Sequence, residues 1–182
     1  MDLSEEAGLT PAAPLNLRTA RLVLRPLRDA DWPELARIGG QRQVARMMSS
    51  LQAPWPEQDV RAWIARSAWR GRPGFRLAVC LPDGALIGTV GIGPEAPPSC
   101  AFFIDPAHTG QGFATEAMQA LWADAIPRFA FTEIEADHFA DNPASGRVLL
   151  KPGFVKTGTG TGTSGARDGP APMMLYRWTQ AG

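Results

Sequence analysis

The sequence predicts an α/β (α+β) domain, a mixed and mostly antiparallel central sheet flanked by helices, and three stretches carry that prediction. Ser99 to Ile126 reads as a short apolar strand, a glycine turn and a strongly periodic helix. Two apolar or alternating runs, 75–80 and 85–92, are separated by Leu81-Pro82-Asp83-Gly84, a turn sequence that predicts an antiparallel hairpin. Glu133 to Ala140 reads as a further strand that leads into a proline-started helix, and Met173 to Thr179 closes the sheet.

Length and composition set the frame. At 182 residues, with 45% hydrophobic and 20% charged residues, the chain suits one domain with a sizeable core: 1–16 as a flexible lead-in and 17–182 as the folded unit. Eighteen basic residues balance eighteen acidic ones, so bulk charge gives no pull toward nucleic acid or an anionic membrane. No stretch approaches the roughly 20 apolar residues of a membrane span. Cys80 and Cys100 lie in apolar strand-like runs and read as buried thiols of a reducing compartment. They and the two histidines, His108 and His138, are scattered without metal-ligand spacing, so no metal site is predicted. The first residues, MDLSEEAGLTPAAP, lack the positive start and apolar core of a signal peptide, and the expected location is cytoplasmic.

Taken in order, Leu17 to Leu27 alternates Leu22 and Leu24 with Arg21, Val23 and Arg25, as a first strand with one buried face would. Asp29 to Glu34 starts a helix that Gly39-Gly40 stops. A second helix follows Trp55-Pro56-Glu57, with Val60, Trp63, Ile64 and Ala68 on one face. The helix after the glycine turn buries Met118, Leu121, Trp122, Ala125 and Ile126 and ends at Pro127. Further on, Asn142 caps a helix that begins at Pro143 and ends before Pro152-Gly153, with Ser145 and Leu149 on one face. Thr157 to Pro172 is low in complexity and reads as a mobile hairpin loop. Its Gly160-x-Gly162-x-x-Gly165 is no dinucleotide fingerprint, because Ala-Arg-Asp-Gly-Pro follows where a helix would have to start.

The chemistry concentrates at the glycine turn. A helix start presents unpaired N–H groups and the positive end of the macrodipole, so it attracts an anion. Gly110 and Gly112 let the backbone come close to a phosphate, and Ala114 keeps the next approach small; the plain alternative is a tight strand-to-helix turn. Thr109-x-x-Gly112-x-Ala114 resembles the acetyl-CoA motif of the GNAT superfamily of N-acetyltransferases, with Thr109 where Gln or Arg is common. HTGQGFATEA is similar to the branch that acetylates the N-terminal alanine of ribosomal proteins, as is Thr19-x-Arg21-Leu22-x-Leu24-Arg25 near the start. Asn142-Pro143-Ala144-Ser145, followed by Gly153-Phe154, resembles the superfamily's second cofactor motif. The likeness covers roughly 17–179.

The resemblance implies a GNAT fold and acetyl-CoA as co-substrate, with its pyrophosphate on the amides of Thr109, Gly110, Gln111, Gly112, Phe113, Ala114 and Thr115. Backbone N–H groups near Phe103 and Ile104 would polarise the thioester, and Asn142 and Ser145 would approach the pantetheine arm. It also implies direct attack by a primary amine, from a small molecule or a protein N-terminus. The pair of helices after the first strand and their connecting loop, which holds Arg42, Arg46, Met47, Met48 and Trp55, would form one wall of the acceptor site, the plain alternative for these five being mixed solvent surface and core edge; a homodimer follows by analogy. Many relatives use a tyrosine acid where this chain has Leu149, so Ser145 is the acid named first; a role as cofactor ligand alone stays open. Glu95, Glu135, Asp137 and His138 all stand as possible bases. An α-amine costs only about 1 kcal/mol to deprotonate at neutral pH and a lysine about 4–5, which favours α-amines if no dedicated base exists. The competing reading is a non-catalytic acyl-CoA-binding module.

Overall fold

The computed structural model describes residues 15–180, so the lead-in expected at 1–16 lies almost wholly outside the described residues. Leu15 lies in the core, 3% exposed. The run expected as one first strand is two, β1 (Leu17–Arg18) and β2 (Val23–Pro26), paired antiparallel. The hydroxyl of Thr19 accepts from the Leu22 amide at 2.9 Å and turns the chain between them. Leu22 and Leu24 face the core as the alternation requires.

After a short 3-10 turn come α1 (Trp32–Gly39), α2 (Arg42–Ala45) and α3 (Glu57–Arg66). The stop at Gly40 uses no left-handed backbone. Glycine is needed there for room: a Cβ on Gly39 would sit 2.6 Å from the Trp55 ring. Trp55 meets Trp63 edge to face at 5.2 Å. α3 ends before Ala68, which therefore leaves the helical face.

The strands β3 (Phe75–Cys80) and β4 (Leu86–Ile92) form the expected hairpin, with Gly84 left-handed and donating to Leu81 O at 2.9 Å. β5 (Ser99–Ile104) follows, then α4 (Phe113–Phe129), β6 (Glu133–Phe139) and α5 (Pro143–Leu150). α4 runs past Pro127 for half a turn and ends at Ala130, whose φ of 50° turns the chain out. β7 (Val155–Gly162) and β8 (Ala171–Thr179) complete the sheet, so half of the expected loop is a strand. The order is β1-β2-β3-β4-β5-β6-β8-β7, antiparallel throughout except for β5 beside β6.

Each face of the sheet carries its own core. Met118, Leu121, Trp122 and Ala125 of α4 and Leu149 of α5 cover one, and Leu35, Ile38, Val60, Trp63 and Ile64 of α1 and α3 cover the other. Cys80 and Cys100 are free and buried. Among the described residues no helix is long and apolar enough to cross a membrane.

Candidate active site

The turn ahead of α4 is built for unpaired amides. Asp105, buried and ion-paired with Arg37, accepts from the Ala107 amide at 3.1 Å and starts a 3-10 turn at Pro106–His108. Gly110 and Gly112 then hold φ of 77° and 82°, a region that favours glycine, so conformation demands them as much as any close approach. The amides from Gly110 through Thr115 find no intramolecular acceptor among the described residues; the ladder begins with Glu116 N–H on Gly112 O. Seventeen residues of helix add their dipole at that point.

A brace holds this turn, and the sequence showed only its motif. Glu116 accepts from the Thr19 hydroxyl at 2.5 Å, the Arg21 amide at 3.1 Å and Arg21 Nε at 2.7 Å. Arg21 also donates to Gln111 O at 3.0 Å and lies 4.6 Å over the Phe113 ring. The Thr-x-Arg-Leu opening thus ties the first hairpin to the glycine turn. Burial pushes the Glu116 carboxyl pKa up, but the hydrogen bonds from Thr19 and Arg21 together outweigh it and hold the pKa below its ordinary value. A depressed pKa stabilises the fold above the unfolded value, near ~4.3, and that contribution is lost as pH falls through the folded value. Glu116→Ala should cost about 1–2 kcal/mol at neutral pH, with the gap to wild type narrowing in melting experiments below about pH 4. A constant gap across pH would remove the ionised brace.

Beyond the turn the sheet opens. β5 and β6 pair only at Ser99 with Glu135 and Cys100 with Ala136, after which β5 from Ala101 to Ile104 has no strand on that side. Asp105 N–H donates toward β4, to Ile87 O at 2.7 Å, and alternation sets the rest. Phe103 turns its amide to β4, while Phe102 and Ile104 turn theirs into the gap.

A cleft of about 570 Å³ runs through this gap. Phe103, Ile104, Thr109, Gly110, Gly112, Phe113, Ala114, Thr115, Asn142 and Ser145 all line it; Gln111 does not. Asn142 occupies the cap position of α5 without a side-chain capping bond. Its amide group instead donates to Ser145 Oγ at 2.9 Å, which leaves the hydroxyl proton free to point elsewhere. Gly146 lets α5 close on β6 and β8, since a Cβ there would meet His138 Nε2 at 2.8 Å and Tyr176 Oη at 2.9 Å.

The four possible bases separate at once. Glu135 is held by Arg177 at 2.9 Å, and Glu95 accepts from the Ser99 hydroxyl outside the cleft lining. His138 Nδ1 lies 2.8 Å from Phe139 O, a pure acceptor, so in the neutral ring Nε2 takes the Tyr176 hydroxyl at 3.2 Å and has no lone pair to offer. Asp137 lines the cleft, and among the described residues no hydrogen bond or ion pair engages its carboxylate. The side chain is exposed to the cleft, but partial desolvation by the cleft walls raises its pKa, with His138 opposing and Glu135 reinforcing the shift.

Of the residues expected on the acceptor wall, Met47 and Met48 line the cleft. Arg46 is bound to Asp141 at 2.7 Å, and Trp55 belongs to the core. Arg76, which sequence reading passed over as a strand residue, also lines the cleft.

Comparison with known proteins agrees with this geometry. The acetyltransferase (GNAT) domain family matches residues 21–155. The chain is 30% identical over 148 residues to the uncharacterized N-acetyltransferase YoaA of Bacillus subtilis, covering 78% of this chain and 84% of that one. It is 26% identical over 147 residues to the L-amino acid N-acetyltransferase AaaT of Escherichia coli, covering 78% and 87%. A ribosomal L7/L12 alpha-N-protein acetyltransferase solved in complex with coenzyme A superposes with a TM-score of 0.77 at 15% identity, over 91% of this chain and 98% of its own. A splayed mixed sheet, a glycine turn of free amides and a family match over most of the chain lead to one conclusion: the chain belongs to the GNAT acetyltransferases and is an acyltransferase.

Proposed function

We propose that this enzyme moves the acetyl group of acetyl-CoA to a primary amine, of a small molecule or a protein N-terminus, by direct attack on the thioester. The observation that carries the reading is that one cleft joins three things: the unpartnered amides before α4, the open edge of β5, and the Asp137 and Ser145 side chains. The amides of Gly110 through Thr115 suit a pyrophosphate, and the edge beyond Cys100 suits the amide groups of a pantetheine arm. Acetyl-CoA supplies the activated acyl group; the protein supplies position, charge and proton transfer.

In this reading the Ile104 amide donates to the thioester oxygen as negative charge develops there. Asp137 accepts the proton that the amine loses as its C–N bond forms. Ser145, oriented by Asn142, relays a proton to the CoA sulfur as the C–S bond breaks and takes one back from solvent in the open cleft. Asp137 supplies the dedicated base that sequence alone left open, so an α-amine is no longer favoured on grounds of cost.

Calorimetric titration with acetyl-CoA, with NAD as control, tests the cofactor half. Micromolar binding of acetyl-CoA alone is expected, and no binding would sink the reading. An amine panel then tests turnover; tight binding without CoA release from any amine would favour a binding module. Ser145→Ala should lower kcat by about 10–100-fold while changing acetyl-CoA affinity only a few-fold. An equal loss in both would make Ser145 a cofactor ligand and not an acid.

A further inference from the structure

Arg76 is a half-buried cation that the acetyl-transfer chemistry above does not use. On β3 it sits opposite Gly91 of β4, which in turn faces Ala101 of β5. A Cβ on Gly91 would collide with Arg76 Cγ, so the bare glycine lets the arginine stem lie flat across β4. The guanidinium is thereby carried to the acceptor side of the cleft, 5.2 Å from the centroid of Trp63.

There it is poorly satisfied. Among the described residues its one side-chain hydrogen bond is a long contact, 3.4 Å to Ala101 O, against five donors. Among the described residues no carboxylate lies within ion-pairing reach of it; Glu95 acts only as a more distant charge and is engaged by Ser99. The Cys100 thiol beside it is kept neutral by burial, which raises its pKa strongly. Desolvation pulls the Arg76 pKa down to about 10, which still leaves a full positive charge at neutral pH. A partly desolvated charge without a partner carries a cost, and that cost is relieved when an anion arrives.

A second groove of about 360 Å³ meets the cleft at Arg76 and Ala101. Arg66, Arg70 and Arg72 line it, and no acidic side chain does. Arg70 is spent on the carbonyls of Ala65 and Arg66, whereas Arg66 and Arg72 make no ion pair among the described residues. Glu95, held against Gly93 and Ser99 at the rim of the groove, offsets part of this charge, and the approach to Arg76 keeps a positive balance.

We propose that Arg76 is the anion anchor of the acceptor site, so that the amine acetylated here also carries a carboxylate. A planar guanidinium pairs with a carboxylate through two parallel hydrogen bonds, and the Trp63 ring lies within cation–π distance of this one. This rests on the acetyl-transfer reading and narrows it to one class of acceptor, with Met47 and Met48 left to accommodate the rest of the molecule.

Matched acceptors test it: α-amino acids against their carboxamides, and short peptides with a free against an amidated C-terminus, all assayed for CoA release. Wild type should favour the acid over the amide at least 10-fold in kcat/KM for one of these sets, chiefly through KM. Arg76→Met should bring that ratio toward one, and Arg76→Lys should recover part of it. Because Arg76→Met could disturb the Trp63 stack, its melting temperature is followed and the wild type is also inhibited with succinate and with succinamide. Competition by succinate alone supports the anchor. A lower melting temperature with an unchanged ratio would make Arg76 structural and overturn the proposal, as would a wild-type preference for amides. Turnover of uncharged amines only would overturn it while leaving acetyl transfer intact, whereas failure to bind acetyl-CoA would remove both.

Discussion

Gly112→Glu is expected to abolish acetyl-CoA binding, with a loss of at least about 10³-fold, or about 4 kcal/mol. Two effects add. Any side chain at φ 82° costs roughly 1–2 kcal/mol in backbone strain. A carboxylate at the start of α4 would also occupy the field that the free amides of Gly110 through Thr115 present to the pyrophosphate. Arg21 cannot quietly neutralise the new charge, although its Nη2 lies 3.4 Å from where a Cβ would sit, because Glu116 and Gln111 O already hold it. Gly112→Ala isolates the strain and should weaken binding by about 10-fold. Calorimetry with both variants separates the contributions. Unchanged affinity in Gly112→Glu would move the pyrophosphate away from this turn.

What could be read without the structure was local. The stripe on α4, the Pro82-Asp83-Gly84 turn and the Asn142-Pro143 helix start are each decided within a few residues, and each stands where its residues imply. What could not be read depends on partners distant in sequence. The Thr-Gly repeat of β7 has no core residue of its own, yet it becomes a strand because β8 supplies the bulk. Gly158 pairs with Leu175 and Gly160 with Met173, and a Cβ on Gly160 would already touch Leu175 at 3.6 Å. Gly39 reads as a helix stop until Trp55, 16 positions later, arrives against it. The candidate site divides in the same way. Its glycine turn is a contiguous motif, whereas Asp137 is separated from Glu135 and His138 by what already occupies those two, Arg177 and the Tyr176 hydroxyl. Arg21 and Glu116 were visible as letters of two motifs, and their mutual grip is a fact of three dimensions.

Asp137→Asn should lower kcat by about 10²–10³ and, at the same time, leave the protein more stable at neutral pH. The two signs come from one cause. Asp137 is exposed to the cleft, yet the surrounding walls partly desolvate its carboxylate and raise its pKa, so it is a stronger base than an ordinary aspartate and is held at a small cost to the fold. Below the unfolded value, near ~3.9, the folded and unfolded chains both keep the proton and the penalty is absent. As pH rises through the raised folded value the unfolded chain ionises more readily, and that stability is lost. An amide of the same shape never ionises, so the melting temperature of the variant should draw ahead of wild type as pH climbs from 4 to 7. Activity runs the other way: wild-type kcat/KM should fall as pH drops through the Asp137 pKa, whereas the variant should keep only the titration of the amine itself. A residue retained for packing would show the opposite pair, a less stable variant with its pH profile intact. Lower activity together with lower stability would place Asp137 in the scaffold and return the base to an unassigned water.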